Sequence, residues 1–367
     1  MLRKILYSAI LLLAIFFVAQ NFNELKLILV AFSHSDGRWL IVAVLAQLLW
    51  LVTIAANFWA CYHLMGIHEK LSHLVPLTTA ANFINVIAPS YGAGALAVLI
   101  ADGSRRGKPV GKVSAAAFVY LVFDYLGFLV VLSLGFSILS SRGNLDALLI
   151  GAAVFAVSVA VGLLILVAIG VRSTDLLERA ILWLVDLANR LLQPFFKRTI
   201  INRAKAQNFA LDIGDGLLQI RRSPRGLILP FFLALTRKSM MMVILFFVSL
   251  AFHNPFGIET LLTSFSVSYL FIIASVTPSG VGFVEGAMIL TQNAMGVDPL
   301  TSTAIALTYR GITFWLTFAY GFIAIRIIGF QRDKPAAKDT ALNKPDKIPS
   351  SELGFIENNP DSDPRKD

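Results

Sequence analysis

Five ionisable side chains fall inside stretches of sequence that are otherwise apolar: Asp124, Arg237, Lys238, Glu285 and Arg310. A charge in such surroundings costs several kcal/mol unless it meets an opposite charge or water. Their signs allow Glu285 to pair with Arg310, and Asp124 with Arg237 or Lys238. Such pairs serve either as purely structural ties, with Lys238 snorkelling toward water, or as a site that binds and passes a charged ligand. The second reading leads. Glu285 has a further role open to it, because the helix dipole favours a carboxylate in a first turn, where it acts as a cap.

Glycines accompany these charges. Gly92 and Gly94 follow Pro89-Ser90, and Gly280 and Gly282 follow Pro278-Ser279. At each place a short helix is expected to begin with its free N–H groups facing the membrane interior, where they can bind phosphate. Arg310 or Arg237 nearby suits an anionic lipid headgroup. Asn85 stands in the first of these broken runs, and Tyr309 directly precedes Arg310. Other chemistries lack their residues. His63, His68 and His73 are spaced by five and share no helical face, which argues against a metal site. The single cysteine, Cys61, allows no internal disulfide and no cysteine metal centre. There is no phosphate-binding loop, no G-x-S-x-G and no H-E-x-x-H. No cofactor and no enzymatic role are expected.

The elements that must carry these residues are membrane helices. Of 367 residues, 57% are hydrophobic and only 14% charged, with mean hydropathy +0.74, too little polar surface for a soluble globule. Trp39–Ile67, Leu71–Ala101, Ala147–Val171 and Thr260–Val284 contain no Asp, Glu, Lys or Arg. Each is long enough to cross or enter a hydrocarbon layer of roughly 30 Å. With Arg3-Lys4 in the cytoplasm, full spans are expected at Ile5–Ala19, Trp39–Met65, Val113–Leu139, Ala147–Val171, Gly226–Phe252 and Thr301–Ile325. Asn21–Arg38 is expected to be an external loop. The first span resembles a signal peptide, but Phe17-Val18-Ala19 is a poor cleavage site, so it is read as uncleaved.

Two runs, Leu71–Ala101 and Thr260–Met295, are interrupted by Pro and Gly. They are either kinked spans or re-entrant hairpins, and the flanking loops favour hairpins. Asp102–Lys112 carries Arg105, Arg106, Lys108 and Lys112, which belong on the cytoplasmic side. A hairpin returns the chain to that side, whereas a single span does not. Legs of about 12–14 residues reach roughly 20 Å and cannot cross alone. The loop after the second run, Gly296–Leu300, has one acid and no base, as an external loop should. The two runs also repeat: Gly107 matches Gly296, Ala115 matches Ala304, Ala117 matches Ala306 and Tyr120 matches Tyr309. The expected fold is an all-α polytopic membrane protein with six full spans and two opposed re-entrant hairpins in an inverted-topology repeat. That arrangement places a site near the midplane.

The formal charge of +9 has a topological cause. Of the 24 basic residues before position 331, 18 fall on the expected cytoplasmic side, three outside and three within spans. No aromatic and basic stripe suggests nucleic acid. Residues 172–225 form the largest polar segment, a cytoplasmic loop in which Leu177, Ile181, Leu184, Ala188 and Leu191 recur at helical spacing up to Pro194. This amphipathic stretch is expected either to lie on anionic lipid or to dock a cytoplasmic lipid-modifying enzyme. Residues 331–367, rich in Pro and balanced in charge, are expected to be a disordered cytoplasmic tail. Residues 1–330 form one transmembrane domain in the plasma (inner) membrane, with both termini inside.

Pro278-Ser-Gly-Val-Gly-Phe-Val-Glu285, followed by Gly296-Val-Asp and Tyr309-Arg310, resembles the C-terminal motif of the lysylphosphatidylglycerol synthase/flippase transmembrane-region family. Asn85–Pro89, Gly92–Gly94 and Asp124 resemble its first motif, and the likeness extends over roughly Met1–Phe330. It implies a flippase-like module that moves lysyl-phospholipid or another lipid-linked polar group between leaflets. The chain departs from the pattern where family members carry Gly-Glu, then Arg, and later an Arg before the Asp. Here those places hold Gly94-Ala95, Val98 and Leu121. The leading expectation is translocation of a phospholipid or lipid-linked group without nucleotide hydrolysis. The alternatives are an accessory subunit that docks an enzyme through residues 172–225, and an enzyme acting on headgroups.

Overall fold

The computed structural model describes residues 19, 22–87, 93–196, 201–222, 224–275 and 280–331. The expected first span (apart from residue 19), both Pro-Ser breaks, Gly92 and the expected tail beyond 331 lie outside the described residues. The chain divides into two units, Met1–Ile328 and Gly329–Asp367; of the second, only 329–331 are described.

Every regular element is helical among the described residues. In order they are α1 Phe22–Ser33, α2 Gly37–Leu64, α3 Leu71–Ile87, α4 Ala93–Arg105, α5 Val110–Ser141, α6 Ala147–Arg172, α7 Thr174–Phe196 and α8 Arg203–Arg222. A 3-10 turn, Pro224–Leu227, leads into α9 Ile228–Ala251, then α10 Ile258–Ala274, α11 Phe283–Ala294 and α12 Pro299–Arg310. A π-helical turn, Gly311–Leu316, joins α12 directly to α13 Thr317–Gln331. Short polar residues fix several starts. The Asp36 carboxylate accepts from the Arg38 N–H at 2.9 Å, Asp146 from Leu149 at 2.8 Å, and Asp298 from Leu300 and Thr301 at 3.1 Å each.

Among the described residues, four helical segments are long and apolar enough to cross a bilayer: α2, α5, α6 and Pro224–Ala251. They coincide with four of the six expected spans. On α6, Ala152, Ala156 and Ala160 form a buried stripe at four-residue spacing, whereas Leu148, Val154 and Ile165 are 65%, 59% and 52% exposed. So broad an apolar outer face requires lipid rather than water. α2 packs along α9, and α5 lies against α9 and α10. Small residues let these helices approach closely. A Cβ on Gly135 would meet Ser266 Oγ at 2.4 Å, and one on Gly127 would meet the Ala234 backbone at 3.2 Å.

α3 packs on α4, and α10 on α11, as the legs of two hairpins. The open end of the first is tied by His73 Nε2 and Asp102 Oδ2 at 2.9 Å. Glu69 adds contacts to Lys108 at 3.1 Å and Arg106 at 3.6 Å. Gly107 and Gly296, paired in the sequence repeat, both adopt positive φ (69° and 90°) just after the second leg.

Two expectations require correction. Asn21–Arg38 is not a loop: α1 occupies most of it, with Ile28 and Ala31 buried. Its apolar face packs on α12 and the π turn, where Gly311 leaves room for Ile28 and Phe32. Asn21, Asn23, Glu24 and Lys26 concealed that face in the sequence. Residues 172–225 hold two helices rather than one. α7 continues past Pro194 to Phe196, and α8 buries Ala210, Ile213, Leu217 and Ile220 in the core beside α5.

Candidate functional site

Asp124, near the middle of α5, faces Arg237 and Lys238, near the middle of α9. Gly127 lies three residues after Asp124 and touches Ala234, three before Arg237, so close helix contact brings the charges together. Asp124 Oδ1 takes an ion pair from Arg237 and another from Lys238 Nζ at 2.5 Å. Tyr269 of α10 donates to Asp124 Oδ2 at 3.2 Å, and its ring lies 3.7 Å from Lys238 Nζ. Arg237 also donates to the Tyr120 hydroxyl. Arg237 and Lys238 are both buried. This cluster holds two cations and one carboxylate.

The second cluster is tied to a helix start. Gly280 and Gly282 adopt positive φ, 72° and 84°, a conformation open to glycine at little cost. Gly282 thereby caps α11, and its N–H donates to Glu285 Oε2 at 2.6 Å. Glu285 Oε1 accepts from Arg310 Nε, and the Arg310 guanidinium lies 4.6 Å from the Phe314 ring centroid. Glu285 and Arg310 are both buried. The π turn begins at the next residue. Such turns recur at functional sites because they displace the residues around them from α-helical register.

Both clusters border one cavity of about 260 Å³, walled by α2, α3, α4, α5, α9, α10, α11, α12, the π turn and α13. Six of the nine residues expected from the sequence line it: Asn85, Asp124, Arg237, Lys238, Tyr309 and Arg310. Glu285 stands behind Arg310 and holds it. Gly280 and Gly282 do not line the cavity, and the carboxylate that Gly282's N–H binds is Glu285 of the same chain. The Gly282 N–H is therefore taken by Glu285, the capping role left open to it in the sequence.

The cavity also gathers residues that the sequence did not single out as a site. Tyr120 was visible only as the repeat partner of Tyr309, and both line it. Tyr269 and Trp50 gave no signal beyond being aromatic in apolar runs. Tyr309 Oη and Trp50 Nε1 are buried and have no hydrogen-bond partner among the described residues. A buried donor left so costs about 1–3 kcal/mol, which a ligand acceptor would recover. Ala95 and Leu121, which stand where the resembled family carries charge, also line the wall. Among the described residues no group of three or more His, Cys, Asp or Glu could hold a metal ion.

A charge-lined cavity inside an all-helical bundle with an apolar outer face defines an integral, multi-pass membrane protein. The family model for the lysylphosphatidylglycerol synthase TM region matches residues 4–321, and the chain belongs to that family. A UPF0104 membrane protein of Methanothermobacter thermautotrophicus is 23% identical over 82% of this chain and 88% of its own length. Another, from Methanocaldococcus jannaschii, is 22% identical over 91% of this chain and 99% of its own length. No solved structure matches the chain.

Proposed function

We propose that the chain moves an anionic phospholipid or lipid-linked headgroup between leaflets of the inner membrane, without catalysing a reaction or hydrolysing nucleotide. One observation carries this reading: a single cavity collects Arg237, Lys238 and Arg310 with the unpartnered donors Tyr309 and Trp50. Such a wall suits an oxyanion. At about 260 Å³ the cavity lies just below the roughly 300–1,000 Å³ of ordinary ligand pockets, so it holds a headgroup and leaves acyl chains in lipid.

In this reading the two hairpins are re-entrant and enter from opposite sides, and six full spans surround them. Three features support the repeat: the packing of α2 along α9, each preceding a hairpin; the paired glycines Gly107 and Gly296; and the paired tyrosines on the cavity. Inverted repeats provide alternating access by exchanging the conformations of their halves. The competing reading, an accessory subunit, draws on α7, whose Leu176, Trp183 and Leu187 form an exposed apolar stripe.

The test is reconstitution in vesicles with labelled phosphatidylglycerol, scoring loss of inner-leaflet label to an external quencher. Wild type should move the label, and Glu285→Ala and Arg310→Ala should each reduce the rate to that of empty vesicles. Unchanged transport in both variants would reject the site. Absence of transport in wild type, with loss of cellular function on altering the α7 stripe, would favour the accessory role.

A further inference from the structure

Glu24 on α1 lines no part of the cavity but lies beside its Glu285–Arg310 cluster, outside the family motifs. It is half-buried, its carboxylate accepts from Trp315 Nε1 of the π turn at 3.4 Å, and the charges of Glu285 and Arg310 act on it. α1 packs on α12 and the π turn. The ionisable groups that face Glu24 from these surroundings are Arg310 at the end of α12 and Glu285 at the start of α11. Lys26, on its own helix, is exposed.

With Glu24 counted, the charges on and behind the cavity wall balance. Asp124, Glu285 and Glu24 oppose Arg237, Lys238 and Arg310. An anion entering so neutral and so buried a set adds an uncompensated negative charge, which a low-dielectric site opposes strongly. The anion also competes for Arg310, and drawing that guanidinium toward the ligand leaves Glu285 and Glu24 as neighbouring like charges, which favours protonation of one of them. Asp124 keeps two cations and Glu285 keeps the Gly282 N–H. Glu24 has no ion pair of its own among the described contacts and is half-buried where Glu285 is buried, so a proton from water reaches it more easily than it reaches Glu285.

We propose that a phosphodiester monoanion binds this cavity together with one proton, carried by Glu24. The inference rests on the anion site argued under the proposed function. The step is a simple protonation: a proton leaves water, the Glu24 carboxylate becomes a carboxylic acid, and no bond to the ligand forms. The site thus stays neutral through the binding event, and a pH gradient across the membrane could bias the direction of headgroup movement.

The experiment uses the full chain in detergent, with dihexanoylphosphatidylglycerol as the lipid probe and dimethyl phosphate as the free anion. Titration calorimetry in buffers of different ionisation enthalpy counts protons taken up per probe bound. Wild type should take up about one proton, and its affinity should fall about tenfold per pH unit over the range in which only the complex is protonated. Glu24→Gln should bind with no uptake and an affinity independent of pH, whereas Glu24→Asp retains the uptake. Uptake with both probes assigns the phosphodiester as the recognised group, and uptake with the lipid probe alone requires the glycerol backbone as well. Binding by wild type without proton uptake, or uptake unchanged in Glu24→Gln, overturns this inference and leaves the anion site standing. If neither probe binds wild type, the anion site itself fails and the proton goes with it.

Discussion

The two ion clusters on the cavity differ in what they leave over. On the α5–α9 side one carboxylate, Asp124, serves Arg237 and Lys238 together. On the α11–α12 side Glu285 serves Arg310 alone and spends its other oxygen on the Gly282 N–H. The first is rich in cations and built across long helices. The second is balanced and fixed to a helix start beside a π turn. The difference teaches that similar residue types inside a membrane protein need not share a role: the α5–α9 cluster leaves one cation in excess of its carboxylate, and the α11–α12 pair fixes one guanidinium on the wall.

The largest test of this contrast is Asp124→Asn. It strands two buried cations beside each other and should lower stability by about 3–5 kcal/mol, read as a fall in melting temperature of the purified protein. Glu285→Gln should cost less, about 2 kcal/mol, because Arg310 retains the Phe314 ring. Equal losses in the two variants would erase the distinction between the clusters. Tyr309→Phe removes a hydroxyl that has no partner among the described residues, so stability should hold while phosphodiester binding weakens about tenfold. A melting temperature that falls with unchanged binding would return Tyr309 to a structural role. The smallest effect is expected of Lys238→Met, which makes the first cluster one-to-one like the second. Stability should stay within about 1 kcal/mol or rise. A loss as large as that of Asp124→Asn would make Lys238, not Arg237, the essential partner.

Much of this was legible in the residues. Long charge-free runs marked α2, the α3–α4 pair, α6 and α10, and the ionisable residues inside apolar runs marked the cavity wall, because each stray charge in lipid demands a partner. Sign and depth allowed Glu285 to pair with Arg310, and Asp124 with Arg237 or Lys238; that Asp124 serves both α9 cations came only with the structure. Other parts were hidden. The buried face of α1 was masked by four polar residues, and α8 reads as a basic loop because its apolar positions are interrupted by glycines that pack against α5 and α7. Glu24 gave no signal, since its proximity to Arg310 depends on how α1 docks.

The sequence by itself determined that this chain is helical, lives in a membrane and carries charges it must neutralise internally, because composition and periodicity act locally and need no partner helix. Only the tertiary structure decided that two distant clusters share one cavity. Only there, too, does a third acid from α1 complete the charge balance. Those outcomes depend on which helices meet and how closely, set by contacts such as Gly127 on Ala234 and Gly311 on Ile28, between residues far apart in the chain.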